Sequence, residues 1–321
     1  MSAHLCSKFC SNLGVAIERD CLSCVKYYIP KVLNWHDYFP NRKENILHKS
    51  VSSVSILKLL LPKTKKYIDS KNDFGQTPLN TICRSFRNGA KCCPSDKLLI
   101  ENGASVDIKD DQNRSPLHRA VIGNCLNCVK FILDLSKMSI NDMDDFSRYP
   151  LYDAVENKNS EMIKLLVEHG AKSFQNDYTR NVLFASIIFE LDDDIIKHLI
   201  DNADIININL NDGEDENILH LVACYKKEYI LETLPKDVIF ENINKKNEDG
   251  QTPLFLAVVG PIRTTLSLTK KFLELGALID IRDKKSRTAL EHLDNIYGDH
   301  NIDEILQIKE LLRNWQDLPS F

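Results

Sequence analysis

The sequence predicts an all-α solenoid of about nine stacked helix–turn–helix units, with short β-hairpin fingers along one edge. Three observations carry that expectation. A short signature recurs along the chain. Its copies are spaced by 32 to 38 residues. Each copy also repeats one internal order of cap, short helix, second helix and polar turn.

The clearest copies are GQTPLNTI from Gly75, NRSPLHRAV from Asn113, SRYPLYDAV from Ser147 and GQTPLFLAV from Gly250. Their anchor leucines are Leu79, Leu117, Leu151 and Leu254. Copies without the proline keep the leucine at Leu13, Leu47, Leu183, Leu219 and Leu290. Thr77, Ser115 and Thr252 precede the proline, as an N-cap precedes proline at the first helical position. Small or apolar residues stand three and four places after the anchor, such as Ala120 and Val121 or Ala257 and Val258, which marks one face of a helix. A second apolar stretch follows (ILKLLL, VKFIL, MIKLLV, IIKHLI), closed by Gly103, Gly170 or Gly276. Asn202 stands in for glycine at a fourth helix end. Glycine, or asparagine in its place, suits a left-handed helix terminus.

These residues resemble the ankyrin repeat, whose unit is a finger plus two antiparallel helices with a Thr-Pro-Leu-His signature. The resemblance covers residues 13–315, leaving tails at 1–12 and 316–321. It implies a non-catalytic protein-binding module that contacts its partner along the concave or finger face. Position after the anchor matches the family histidine at His48, His118 and His220, where the resemblance implies a hydrogen bond to the neighbouring turn. Segments 84–96 and 259–268 read as insertions between the two helices of their copies.

Composition agrees with an intracellular, non-enzymatic reading. The chain has 321 residues, 43% of them hydrophobic and 27% charged, with a net charge of −5. With that balance the whole molecule is not a polyelectrolyte partner for nucleic acid, and no apolar run reaches membrane-spanning length. The N-terminus shows no secretory h-region. The expected location is the cytoplasm, with the nucleus as the alternative, and thiols there stay reduced. No phosphate loop, GxSxG, HExxH or dinucleotide fingerprint is present. No cofactor is expected.

A zinc site is the sharpest chemical temptation. Cys21-Leu-Ser-Cys24 and Cys125-Leu-Asn-Cys128 offer four thiols. Both pairs hold the same register position three repeats apart, so helix spacing separates them by roughly 25–30 Å. One ion with Zn–S bonds of ~2.3 Å cannot bridge them, and no metal site is expected. Asp192, Asp193 and Asp194 read as an acidic first turn before Ile195, favoured by the helix dipole.

The surface supplies the candidate site. Residues five before each anchor form a column: Arg42, Phe74, Gln112, Phe146, Tyr178, Glu214, Asp249 and Lys285. Phe74, Phe146 and Tyr178 are aromatic where a polar residue is usual, and exposed aromatics invite a partner. Trp35, Tyr38 and Phe39 in the first finger extend the strip. Charge is uneven: net +7 over residues 1–110, −11 over 111–250 and −1 over 251–321. A partner's basic end would therefore run over Asp192, Asp194 and Glu214. The free chain is expected to be monomeric. The alternative function is a ubiquitin-ligase substrate adaptor, although no SOCS box or F-box is recognisable. A channel's cytosolic domain is disfavoured because the sequence lacks membrane spans.

Overall fold

A polar oxygen two residues before the anchor starts nearly every first helix. Thr77 Oγ1 accepts from the Asn80 N–H (3.2 Å), Ser115 Oγ from that of His118 (3.4 Å) and Thr252 Oγ1 from that of Phe255 (3.2 Å). Where the Thr-Pro pair is lost, asparagine takes over: Asn45, Asn181 and Asn217 each accept from two N–H groups of the first turn. In the first copy the cap, Asn12, lies one residue closer, so Leu13 itself opens the helix. Tyr149 alone among these positions has no side-chain cap bond, and there Pro150 sets the first turn.

The computed structural model describes residues 10–32, 43–84, 94–135, 140–172, 181–202, 215–259, 265–297 and 303–315. The chain divides into two compact units, Met1–Ala171 and Lys172–Phe321. The first holds α1 (Leu13–Glu18), α2 (Leu22–Tyr28), α3 (Ile46–Ser50), α4 (Val54–Thr64), α5 (Pro78–Arg84), α6 (Pro94–Glu101), α7 (Pro116–Ile122), α8 (Leu126–Leu135), α9 (Pro150–Glu156) and α10 (Ser160–Glu168). Odd-numbered helices pack in sequence against one another, and even-numbered helices form a second row behind them.

The second unit holds α11 (Val182–Ile188), α12 (Asp193–Asp201), α13 (Ile218–Tyr225), α14 (Ile230–Thr233), α15 (Lys236–Asn242), α16 (Pro253–Val259), α17 (Leu266–Glu274), α18 (Ala289–Tyr297) and α19 (Asp303–Trp315). Its first-helix row runs α11, α13, α16, α18. The second helix of the Leu219 copy is split into α14 and α15, because Leu234 is extended and Pro235 caps the next segment.

The anchors from Leu13 to Leu254 are all buried, while Leu290 in the last copy is only half-buried. Gly103, Gly170 and Gly276 end their helices at φ +99°, +91° and +95°. Asn202 does not follow them: its φ is −110°, and it closes α12 by donating from Nδ2 to the His198 carbonyl at 2.8 Å. The insertions are shorter than expected. Pro94, Ser95 and Asp96 already belong to α6, where proline at the first helical position starts a helix readily, and Leu266–Leu268 belong to α17. Their remaining parts, 85–93 and 260–264, lie outside the described residues.

Two stability outcomes follow from this packing. Leu151→Ala should cost about 2–5 kcal/mol in chemical denaturation, as a core truncation in mid-stack. Gly75 has φ +66°, and a Cβ there would lie 2.6 Å from the Asp111 backbone nitrogen, whereas a Cβ on Gly170 meets nothing within 4 Å. Gly75→Ala should therefore lower the melting temperature more than Gly170→Ala does, although both residues are left-handed.

Candidate partner-binding surface

Five of the described fingers are each organised by one side-chain oxygen, seven residues before the anchor. Asn72 Oδ1 accepts from the N–H groups of Phe74 and Gln76, both at 3.0 Å. Asp110 and Asp144 repeat this with the N–H groups two and four residues on, and so do Asn247 and Asp283 in the second unit. One backbone bond closes each turn, as from Asp110 N–H to the Arg114 carbonyl at 3.0 Å. The residue four before the anchor is left-handed in every described copy from the second onward: Lys43, Gly75, Asn113, Ser147, Asp215, Gly250 and Ser286. The fingers are thus tight Asx turns; among the described residues they form no strand.

Neighbouring fingers are joined through the backbone. Asp111 N–H donates to the Phe74 carbonyl (3.1 Å), Asp145 to Gln112 (3.1 Å) and, in the second unit, Lys284 to Asp249 (2.9 Å). The capping histidines add a second tie. His48 Nδ1 accepts from the Asn45 N–H, which leaves the proton on Nε2 for the Gln76 carbonyl of the next finger at 2.8 Å. His220 Nε2 reaches the Gln251 carbonyl at 3.1 Å. His118 keeps the cap, but its Nε2 is buried without a hydrogen bond of normal geometry. Burial lowers the His48 pKa and drives that of His118 down to about 4, so both rings are neutral at pH 7.

Phe74 and Phe146 occupy the same place on fingers two repeats apart. They are 51% and 45% exposed. The guanidinium carbons of Arg114 and Arg148 lie over the Phe146 ring, 5.1 and 5.7 Å from its centroid. Such cation–π contacts hold the ring's orientation while leaving about half its surface open. Asp192 and Asp194 are exposed at the start of α12, Asp192 as its N-cap residue, and so belong to a second-row helix and not to a finger. Trp35, Tyr38, Phe39, Tyr178 and Glu214 lie outside the described residues.

Beside the Phe146 finger is a polar cleft of about 500 Å³, lined by residues of α7, α9 and their flanks, among them Arg114, Asn124, Arg148, Asp153, Glu156 and Asn157. Its arginines are held by carboxylates. Arg114 Nε lies 2.8 Å from Asp144 Oδ2, and Arg148 Nη1 lies 3.0 Å from Glu156 and 3.6 Å from Asp153 Oδ1. Arg119 pairs with Asp110 behind them. Burial alone would raise the Asp144 carboxyl, but the Arg148 N–H and the Arg114 guanidinium hold it below the usual range. Asp153 is different. It is 2% exposed, its Oδ2 has no hydrogen-bond partner, and burial pushes its pKa up to about 7 against the pull of Arg148.

The column of finger aromatics was readable from the sequence, but the cleft was not. Asp153 sits in a helix, PLYDAVE, where aspartate ordinarily reads as a solvated first-turn acid. The Asn/Asp column seven before the anchor was the overlooked signal, legible at Asn72, Asp110, Asp144, Asn247 and Asp283.

The ankyrin-repeat family model, as three copies, matches residues 52–144 and 135–212. The chain belongs to the ankyrin-repeat family, and its all-α fold is the ankyrin-repeat fold. It is similar to human transient receptor potential cation channel subfamily A member 1, with 25% identity over 94% of this chain and 27% of that protein. It also resembles probable 26S proteasome regulatory subunit p28 of Saccharomyces cerevisiae, 36% identical over 30% of this chain and 42% of the relative. A third relative is 26S proteasome non-ATPase regulatory subunit 10 of Dictyostelium discoideum, 40% identical over 23% of this chain and 33% of the relative. The chain thus spans less than half the length of each. Among the described residues no helix is long and apolar enough to cross a membrane.

The Asp153 carboxyl makes a pH prediction. The folded protein keeps its proton up to about pH 7, whereas the ordinary value is 3.8. The native state therefore binds more protons in that window, and this group makes stability fall as pH rises from about 4 to about 7. Asp153→Asn removes the slope. Urea unfolding should show the variant gaining on the parent between pH 5 and pH 8, by on the order of 2–3 kcal/mol. His118 acts in the opposite sense, losing stability as pH falls from 6.5 towards 4, and cancels in the difference. A gain independent of pH would show that the carboxyl is ionised in the folded protein throughout.

Proposed function

We propose that this chain is a non-catalytic docking module that grips a partner protein by its fingers. The single observation that carries the reading is the pair Phe74 and Phe146. Two large rings are held half-exposed, at one register position, on turns fixed by side-chain, backbone and finger-to-finger hydrogen bonds. Rigid presentation lowers the ordering cost of association, and aromatic anchors concentrate binding energy. In this proposal Trp35, Tyr38, Phe39 and Tyr178 extend the strip, while Asp192, Asp194 and Glu214 orient a partner with a basic end. The proposed compartment is the cytoplasm, and the free chain is a monomer.

The test starts from affinity purification of a partner and proceeds to measured affinity. Phe74→Ala together with Phe146→Ala should weaken binding by about 30-fold or more, the scale of one true hot spot. The melting temperature should change little. Raising salt should slow association more than it speeds dissociation. Unchanged affinity with a lowered melting temperature would make the rings structural and remove the proposal. Recovery of cullin subunits as the partner would favour the ubiquitin-ligase adaptor instead.

A further inference from the structure

At the N-terminal end of the first unit, three cysteines converge that are separate in the sequence. Cys10 lies just before α1, Cys21 is the residue before α2, and Cys24 is on its first turn. Their sulfurs all lie within 4.8 Å of one another. The Tyr28 hydroxyl donates to the Cys10 carbonyl at 2.7 Å and so fixes Cys10 against the end of α2. Cys10 and Cys24 are each 2% exposed, while Cys21 is only half-buried. The cluster is thus buried at two thiols and partly accessible at the third.

We propose that Cys10, Cys21 and Cys24 form a site for a soft, thiophilic d10 ion, Zn²⁺ or Cu⁺. Thiolate ligands select these ions over hard cations. Around a metal with M–S bonds of ~2.3 Å, tetrahedral sulfurs stand about 3.8 Å apart. A contraction of about 1 Å or less, within reach of side-chain rotation, completes the cage. Binding displaces the thiol protons of the coordinating cysteines, and the half-buried Cys21 provides the entry path. A fourth corner remains for solvent with zinc, while three sulfurs suffice for a trigonal cuprous ion. The sequence also carries Cys6 four residues before Cys10; it lies outside the described residues, and the site rests on the other three.

The second Cys-x-x-Cys pair holds the same register in different surroundings, with Cys83 and Asp96 beside Cys128. Cys125 is disulfide-bonded, in contrast to the reduced state expected there, and the Cys128 thiol donates to Asp96 Oδ2 at 2.7 Å. Burial raises the Cys128 and Cys83 thiols far above their ordinary value, which keeps both protonated. The separation of the two pairs forbids a shared ion, but it places no limit on a site completed by Cys10.

The test uses the full chain, purified under reducing conditions, equilibrated separately with Zn²⁺ and with Cu⁺, and then freed of loose metal by gel filtration. Elemental analysis should find about one equivalent of at least one ion, and the ion retained decides between them. Co²⁺ should give a thiolate-to-cobalt charge-transfer band. Cys24→Ser and Cys21→Ser should each lose the retained metal and the band, while Cys224→Ser keeps both. Circular dichroism checks folding, and Cys21, being half-buried, offers the variant least costly to the core. Substoichiometric metal in the parent, retention unchanged in the folded Cys21→Ser variant, or a parent mass lower by two hydrogens without metal would each overturn the site.

Discussion

An isolated finger has too few residues to bury a core, so its backbone must be satisfied locally. One oxygen does this. In Asn72, Asp110, Asp144, Asn247 and Asp283 it receives two N–H groups of the same turn and draws the chain into a loop whose last residues begin the next helix. The turn then places one N–H where the preceding finger offers a carbonyl. Helix row, histidine tie and the exposed Phe74 and Phe146 all take their positions from that turn. The arrangement also explains Gly75 and Gly250, where adjacent fingers approach too closely for a Cβ.

Aspartate at this position does more than asparagine. Asp144 uses Oδ1 within its own finger and Oδ2 for Arg114 of the finger before, so the same side chain shapes one turn and braces two. The carboxylate stays ionised because a guanidinium and two N–H groups surround it. Asp153, a few ångströms away on α9, has an equally buried carboxyl but shares Arg148 with Glu156 and Asp144. Burial penalises its charged form by more than the shared guanidinium returns. The resulting high pKa marks a cost that the local packing carries. Phe146 rests on these arginines, so the exposed ring and the buried charges form one assembly.

The chemistry of the cysteines follows the same logic of neighbours. Cys21 and Cys24 correspond in register to Cys125 and Cys128, yet the two pairs meet different surroundings. The first pair has Cys10, brought in by the segment before α1. The second has Asp96 from α6. The same Cys-Leu-x-Cys pattern therefore yields a soft-metal cage in one place, as proposed, and in the other a disulfide-bonded Cys125 beside a hydrogen-bonded Cys128 thiol.

What the sequence determined by itself is whatever recurs at a fixed offset within one repeat. Anchor leucines, Thr-Pro caps and terminal glycines obey helix geometry alone, and so the fold class, the buried faces and the finger column were legible from Leu47 to Leu254. Only the tertiary structure decided what happens between repeats. Asp153 becomes a buried acid with an unpaired oxygen, and Cys10 meets a Cys-x-x-Cys pair. Each outcome depends on distances across the stack, and those distances are set by how neighbouring helices seat against one another, not by spacing along the chain.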